Sequence, residues 1–246
     1  MNLREPTAVN YRGERLSVRL GIVLSGVTFL LFIGSAFDEP RLGWIALGVV
    51  AVFLAGLYDD ARPARTRGMR RQLAALRHGD VTPGAVKLAV IGAASAFTTW
   101  MLGGRGWTFL VGAAVIAGSA NLWNLLDVRP GRALKVFLPV AVAFAAAAGW
   151  PLGAAYAGLA AAGAVGLWAD LSERSMLGDC GANVLGFVVG VGTFLVLPLG
   201  WLAVVLAAIV VLHVLADTIT LSRLIDATPP LRAVDRLGRR KFAENG

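Results

Sequence analysis

Long apolar runs alternate with short polar breaks along almost the whole chain. A helix that crosses a bilayer needs about 20 mostly apolar residues. The pattern therefore predicts an all-α, polytopic membrane helix bundle that forms a single domain over residues 1–246. The eight predicted spans cover roughly residues 18–36, 42–57, 84–102, 107–124, 133–149, 151–168, 182–198 and 200–221.

Composition supports this interpretation. The chain is 57% hydrophobic and only 15% charged, and its mean hydropathy is +0.70, whereas soluble domains carry more charge. The single cysteine, Cys180, excludes an internal disulfide framework. The net charge of +8 could indicate a nucleic-acid partner, but the basic residues cluster at the ends of apolar runs. Membrane topology explains such clusters, so we expect a membrane protein with no nucleic-acid partner.

The distribution of basic residues also predicts an orientation. If the N-terminus is cytoplasmic, 21 of the 23 Lys and Arg residues fall on the cytoplasmic side, and only Arg41 and Arg105 do not. Such an asymmetry predicts that both termini are cytoplasmic. The longest polar segment, 58–83, contains "RGMRRQLAALRHG" at 67–79, which predicts a short amphipathic helix at the membrane surface.

Three polar clusters lie at the predicted cytoplasmic ends of separate helices. On a helix, the spacing i, i+3, i+6 places side chains in a slightly drifting stripe along one face. One bundle could therefore bring all three clusters together. The clusters consist of Asp59 and Asp60, of Asn121, Asn124 and Asp127, and of Asp179.

Carboxylates and amides gathered at a membrane surface suit a divalent metal with oxygen ligands. Mg²⁺ typically takes one or two carboxylates together with substrate phosphates and water. Its charge would also remove the repulsion between the adjacent Asp59 and Asp60. The alternative is that each aspartate begins a helix or pairs with a nearby arginine, and the residues alone leave this open.

The ordered motifs "DD", "NxxNxxD" and "GDxGAN" resemble those of the polyprenyl-phosphate N-acetylhexosamine-1-phosphate transferases. This family, glycosyltransferase family 4, includes phospho-N-acetylmuramoyl-pentapeptide transferase. The resemblance implies transfer of a sugar 1-phosphate from a UDP-sugar to a polyprenyl phosphate, with release of UMP and with Mg²⁺ as cofactor. It also implies a place in the bacterial cytoplasmic membrane and a role in cell-envelope glycan synthesis.

The resemblance assigns roles to particular residues. It implies catalytic roles for Asp59, Asp60, Asp127 and Asp179, with Asp179, Asp59 and Asp127 as metal ligands. Arginine and lysine can clamp phosphates, and the alternative for each is a topology or lipid-headgroup charge. The ionisable Asp217 within the last span resembles a further family residue. The candidate substrate-binding residues are Arg12, Asn121, Asn124, Arg129, Arg132, Asn183, Arg240 and Lys241.

The chain also departs from the family pattern. Val128 and Pro130 stand where the family has glycine and a second aspartate, and Gly238, Arg240 and Lys241 stand where it has histidines. An alternative function is therefore a non-catalytic relative that binds polyprenyl phosphate or a membrane partner. A transporter lacks the expected paired, interrupted helices, and "DVRPGRA" does not fit a CDP-alcohol phosphotransferase. A homodimer is left open.

Overall fold

The computed structural model describes residues 7–9, 11–62, 82–219 and 221–239. Within these ranges the chain forms ten α-helices and one short hairpin. The predicted amphipathic helix at 67–79, and also Arg240 and Lys241, lie outside the described residues. The long helices are α1 (Arg19–Ser35), α2 (Gly43–Asp60), α3 (Pro83–Met101), α4 (Gly106–Leu126), α5 (Arg132–Ala147), α6 (Leu152–Leu171), α7 (Gly178–Val196) and α8 (Leu199–Thr218); the short ones are α9 (Leu221–Ala227) and α10 (Pro229–Arg236).

The eight long helices occupy the places of the eight predicted spans. Six helical stretches are long and apolar enough to cross a membrane, so the chain is a multi-pass membrane protein. The other two long helices are shorter than these six stretches: α1 is apolar but has 17 residues, and α5 has 16 and contains Pro139. The six stretches are Pro40–Asp60, which includes a 3₁₀ turn before α2, Pro83–Met101, Gly106–Leu126, Leu152–Leu171, Gly178–Val196 and Leu199–Thr218.

A short antiparallel hairpin precedes the bundle and was not predicted from the sequence. Strand β1 (Thr7–Val9) pairs with β2 (Arg15–Ser17), with Thr7 opposite Ser17. Gly13 lies in the turn with a φ of 82°, a conformation that glycine adopts at little cost. Met176 donates its backbone N–H to the Ser17 carbonyl (3.0 Å), so the hairpin is tied to the segment just before α7.

Helix α7 is the centre of the bundle. In the apolar 18-residue stretch of α7, 83% is buried inside the bundle, whereas the corresponding share for α8 is 11%. α7 packs against α1, α2, α4 and α5. From α6, Tyr156 donates its hydroxyl to the Val188 carbonyl of α7 (2.5 Å). Consecutive long helices run in opposite directions, so the polar ends of α2, α4 and α7 lie at the same end of the bundle.

Glycines allow α7 to approach its neighbours at backbone distance. A Cβ added at Gly56 of α2 would lie 2.6 Å from the carbonyl oxygen of Asp179 and 2.6 Å from the Cα of Cys180. Small residues at helix interfaces permit such contacts in membrane bundles. The close approach brings the last turn of α2 against the first turn of α7, which carry the two acidic motifs.

We expect Gly56→Ala to lower the free energy of unfolding by about 1–3 kcal/mol, because the added methyl meets backbone atoms that cannot move aside. Thermal unfolding in detergent micelles measures this. Gly92→Ala in α3 is the matched control, since nothing lies within 4 Å of a Cβ there. Equal melting temperatures for the two variants would contradict the close approach of α2 and α7.

Candidate functional site

A lysine joins two of the predicted acidic motifs. Thr82 accepts the backbone N–H of Ala85 (3.1 Å) and so begins α3, which places Lys87 in its second turn. The Lys87 ammonium lies 2.6 Å from Asp59 Oδ2 at the end of α2 and 2.6 Å from Asp179 Oδ2 in the first turn of α7. One buried cation thus bridges carboxylates from two helices that lie far apart in the sequence.

Asn124 completes this cluster from the last turn of α4. With its amide oriented to satisfy both neighbours, its nitrogen donates to Asp179 Oδ1 (2.6 Å) and its oxygen accepts from Lys87 Nζ (3.3 Å). Asp59 Oδ1 is buried and has no hydrogen-bond partner. The four side chains Asp59, Lys87, Asn124 and Asp179, hereafter the central cluster, therefore come from α2, α3, α4 and α7.

Asp60 has a different environment from Asp59. Its Oδ1 accepts the backbone N–H of Asp179 and its Oδ2 accepts that of Cys180, both at 2.9 Å. These are N–H groups of the first turn of α7, which have no partner within their own helix. Gly178, with a φ of 61°, makes room, since a Cβ there would lie 2.9 Å from Asp60 Oδ2. Asp60 therefore anchors the first turn of α7 and, by fixing the backbone of Asp179, orients the Asp179 side chain.

Asp127 lies just beyond α4, which ends at Leu126. It is followed by a tight turn in which Gly131 has a φ of 74° and donates its N–H to Asp170 Oδ2 (2.8 Å). Partial burial raises the pKa of Asp127 above its ordinary value, and the negative charges of Asp170 and Asp179 act in the same direction. Asp127 is therefore an acidic neighbour of the central cluster, close enough to be influenced by the charge of Asp179.

Asn121 and Asn124, one turn apart on α4, contact different neighbours. Three residues along an α-helix turn by about 300°, so each step of three falls short of a full turn by about 60°. Asn124 faces the central cluster, while Asn121 lies 2.9 Å from His213 Nε2 of α8. His213 Nδ1 lies 2.8 Å from the Ile209 carbonyl. Asn121 therefore contributes to the contact between α4 and α8.

Asn183 follows Asp179 by one turn of α7. Its side-chain nitrogen donates to the Asp179 carbonyl (2.7 Å), and its side-chain oxygen is buried without a partner. The side chain lies below the central cluster, toward the interior of the bundle.

Arg132 lies in a buried ion pair at the start of α5. Its Nε and Nη2 donate to Asp235 at 2.7 and 3.2 Å, and its Nη1 donates to Ser222 (2.9 Å). Both partners are almost fully buried, with 3% and 4% of the side chains exposed. Arg239 also pairs with Asp235 (2.5 Å) and donates to the Pro130 carbonyl (3.2 Å). These contacts dock the C-terminal helices on the turn after Asp127.

Two further predicted arginines lie near the same aromatic ring. Arg12 pairs with Glu173, and Arg129 lies 3.8 Å from Asp226. The guanidinium groups of Arg12 and Arg129 lie 5.3 and 5.4 Å from the centre of the Tyr11 ring, within the range of cation–π attraction. Both arginines are partly exposed at the polar end of the bundle, so they remain accessible to an anion.

We expect Asp235→Ala to lower the free energy of unfolding by about 3–5 kcal/mol, because it leaves the Arg132 guanidinium buried without a counter-charge. Chemical unfolding in detergent micelles measures the change. Glu39→Ala is the control: Glu39 forms an exposed pair with Arg41, and such pairs contribute about 0–1 kcal/mol. Similar losses for the two variants would contradict the buried pairing.

The same ion pair predicts a pH dependence. Burial opposes the charge of Asp235, but the hydrogen bonds and charges of Arg132 and Arg239 outweigh it and lower the pKa of Asp235. The pair therefore stabilises the protein fully above the ordinary aspartate pKa of about 3.9, and this contribution is lost as the pH falls below it. Between pH 6 and pH 3 the wild type should lose more stability than Asp235→Asn.

The donor set suits Mg²⁺ chemically. The two carboxylates of the central cluster, which include the unpartnered Asp59 Oδ1, and the Asn124 amide oxygen are hard oxygen donors. Among the described residues no three His, Cys, Asp or Glu side chains form a ready-made metal cage. The number of carboxylates is sufficient for an ion that completes its shell with phosphates and water. Asp59 and Asp179 would hold the ion, next to Lys87.

The sequence analysis missed two residues of the site. Lys87 was counted only as a topology charge, although a lysine within the first turns of an apolar helix is costly and calls for a buried partner. Asp170, near the end of α6, was not considered. It is almost fully buried and holds the turn after Asp127 through the Gly131 N–H. Its only sequence signal was an ionisable residue at the end of an apolar run.

No protein-family model matches this chain, and a search of curated proteins found no match either. Functional inference therefore starts from the geometry of the site.

Proposed function

We propose that the protein transfers a sugar 1-phosphate from a UDP-N-acetylhexosamine-type nucleotide to a polyprenyl phosphate and releases UMP. The observation that carries the proposal is the convergence of Asp59, Lys87, Asn124 and Asp179 from four helices at the polar end of a membrane bundle. An apolar lipid acceptor and a charged nucleotide can meet only at such an end. The order of the motifs resembles that of the polyprenyl-phosphate hexosamine-1-phosphate transferases, which have this activity.

The reaction requires little proton transfer. An oxygen of the lipid phosphate would form a bond to the phosphorus that carries the sugar, and the bond from that phosphorus to the bridging oxygen would break. The electron pair of the broken bond leaves with UMP. Because the nucleophile is already an anion, catalysis consists mainly of positioning and charge neutralisation. A Mg²⁺ ion held by Asp59 and Asp179 would supply a Lewis acid for the diphosphate.

The residues around the central cluster supply positioning. Asp60 fixes the first turn of α7, so the carboxylate of Asp179 is preorganised. Asp170 and Arg239 hold the turn after Asp127 through the Gly131 N–H and the Pro130 carbonyl. That turn carries Arg129, whose guanidinium is suited to a phosphate. In this proposal, the site end of the bundle faces the cytoplasm, as the distribution of Lys and Arg predicts.

A second candidate is a non-catalytic protein that binds polyprenyl phosphate or a membrane partner. Two observations favour it: the positions of the family histidines hold Gly238, Arg240 and Lys241, and Lys87 occupies carboxylate oxygens that a metal would use. Binding of a lipid phosphate by basic residues requires neither the family histidines nor a bound metal. The two candidates differ in whether UMP is released.

The test uses the full-length protein in lipid nanodiscs with undecaprenyl phosphate, Mg²⁺ and a panel of radiolabelled UDP-sugars. We expect a radiolabelled lipid and an equal amount of UMP from at least one sugar nucleotide. The Glu39→Gln variant, changed at the opposite end of the bundle, is the control and should keep full activity. If no sugar gives lipid-linked product or UMP while polyprenyl phosphate still binds, the non-catalytic candidate replaces this proposal.

A further inference from the structure

The Lys87 ammonium lies between the two carboxylates of the central cluster. Its side chain is 6% exposed, and its ammonium contacts carboxylate oxygens of Asp59 and Asp179 at 2.6 Å each. The Asn124 amide oxygen lies 3.3 Å away on a third side. An ammonium bound by three oxygens from three helices is a complete cation site whose ion is covalently attached to the protein.

We propose that Lys87 is an internal competitor of the divalent cation at Asp59 and Asp179, so that the metal binds only as the ammonium moves off these oxygens. The identity of the metal rests on the proposed function, but the competition itself needs only a divalent cation. An Mg–O contact is about 2.0–2.1 Å long. An ion bound to both Oδ2 atoms would therefore overlap the ammonium, and the two positive charges would repel each other.

Asp59 has an oxygen that Lys87 does not use and that a bound ion could share. Its side chain is 9% exposed, its Oδ2 binds Lys87, and its Oδ1 is buried with no hydrogen-bond partner. An unpaired carboxylate oxygen in a buried position is costly unless a cation or donor reaches it. The charge count agrees, because Asp59, Asp179 and Lys87 sum to −1 and attract a further cation. Without Lys87 the sum is −2, and the attraction is stronger.

A purely structural role for Lys87 makes a different prediction. If the lysine only holds α2, α3 and α7 together, its loss weakens the fold and leaves metal affinity unchanged or reduced. If the lysine competes, its loss exposes two carboxylates to the metal, and the metal replaces the missing charge. Affinity for a divalent cation therefore separates the two roles.

The test measures binding of Mn²⁺, a spectroscopic substitute for Mg²⁺, to the full-length protein in nanodiscs by electron paramagnetic resonance of the free ion. We expect Lys87→Met to bind Mn²⁺ at least about tenfold more tightly than the wild type, and Mg²⁺ to displace it. Lys135→Met is the matched control, since the Lys135 ammonium donates to the carbonyls of Val234 and Asp235 and lies outside the cluster. Its Mn²⁺ affinity should equal that of the wild type. Equal or weaker binding by Lys87→Met would overturn the proposal.

Thermal unfolding covers the case in which the variant folds poorly. Lys87→Gln keeps a donor for the carboxylates without the charge, and saturating Mg²⁺ should raise the melting temperature of both Lys87 variants more than that of the wild type. Folding of the variants only in Mg²⁺ would support the competition. Equal Mg²⁺ shifts, or variants that stay unfolded in saturating Mg²⁺, would overturn it.

These measurements need no sugar nucleotide, so their outcome is independent of the transfer reaction. If Lys87→Met binds Mn²⁺ more tightly but the wild type forms no lipid-linked product, the competition stands and the proposed function is removed. Product formation with unchanged Mn²⁺ affinity would do the reverse.

Discussion

Replacing Asp179 by asparagine is expected to lower the rate of sugar-phosphate transfer by about 10²-fold or more, the usual effect of removing a preorganised charge from an active site. Asparagine keeps the size of the side chain but removes one of the two carboxylates that bind Lys87 and would hold the metal. The variant should still fold, because Asp60 binds the backbone N–H of residue 179 and not its side chain. The measurement is initial-rate formation of radiolabelled lipid.

Asp226→Asn is the matched control for this prediction. Asp226 lies at the same end of the bundle, but it is 39% exposed and its contact with Arg129 is long, at 3.8 Å. Because such exposed pairs contribute little, this change should leave the rate within about twofold. An Asp179→Asn rate equal to that of the wild type would show that the central cluster does not carry the chemistry, even if the protein is a transferase.

Asp60→Ala is expected to reduce stability and activity together. Two charge-assisted hydrogen bonds to the first turn of α7 are lost, each worth about 1.5–3 kcal/mol, so the free energy of unfolding should fall by roughly 3 kcal/mol or more. The loosened α7 also misplaces Asp179. Chemical unfolding and the transfer assay measure the two effects on the same preparation.

Asp60→Asn tests the mechanism of this loss. Its amide oxygen can still accept one backbone N–H, so we expect a stability between those of the wild type and Asp60→Ala. Asp226→Ala, at the same end of the bundle, controls for loss of a surface carboxylate and should cost less than about 1 kcal/mol. An unfolding free energy for Asp60→Ala that matches Asp226→Ala would contradict the anchoring role.

The sequence was sufficient to predict the eight long helices, but not the short α9 and α10. Each apolar run is long, and prolines, glycines or charged residues mark its two ends. Pro83 and Pro198, for example, mark the starts of α3 and α8. The meeting of Asp59 with Asp179 also followed, because helices that alternate in direction bring every second end to one side. The count of eight membrane crossings and the cytoplasmic orientation stay predictions.

The details of the site required coordinates. Asp59 and Asp60 are adjacent in sequence and chemically equivalent, yet one binds an ammonium and the other two backbone N–H groups. Side chains of neighbouring helical residues point about 100° apart, so their partners depend on which helix packs on which side. Arg132 likewise reads as a phosphate clamp, but it pairs with Asp235, 103 residues later. Long-range pairings of this kind leave no local signal.

The central position of α7 has a consequence for how the protein is made. α7 is the seventh of the eight long helices in the described part of the chain, so the helix at the centre of the bundle is synthesised late. Before then, Asp59 and Lys87 can already neutralise each other within the α2–α3 pair. Arrival of Asp179 on α7 adds the second carboxylate and fills the bundle at the same moment. A chain that ends before residue 178 would therefore lack the helix against which α1, α2, α4 and α5 pack.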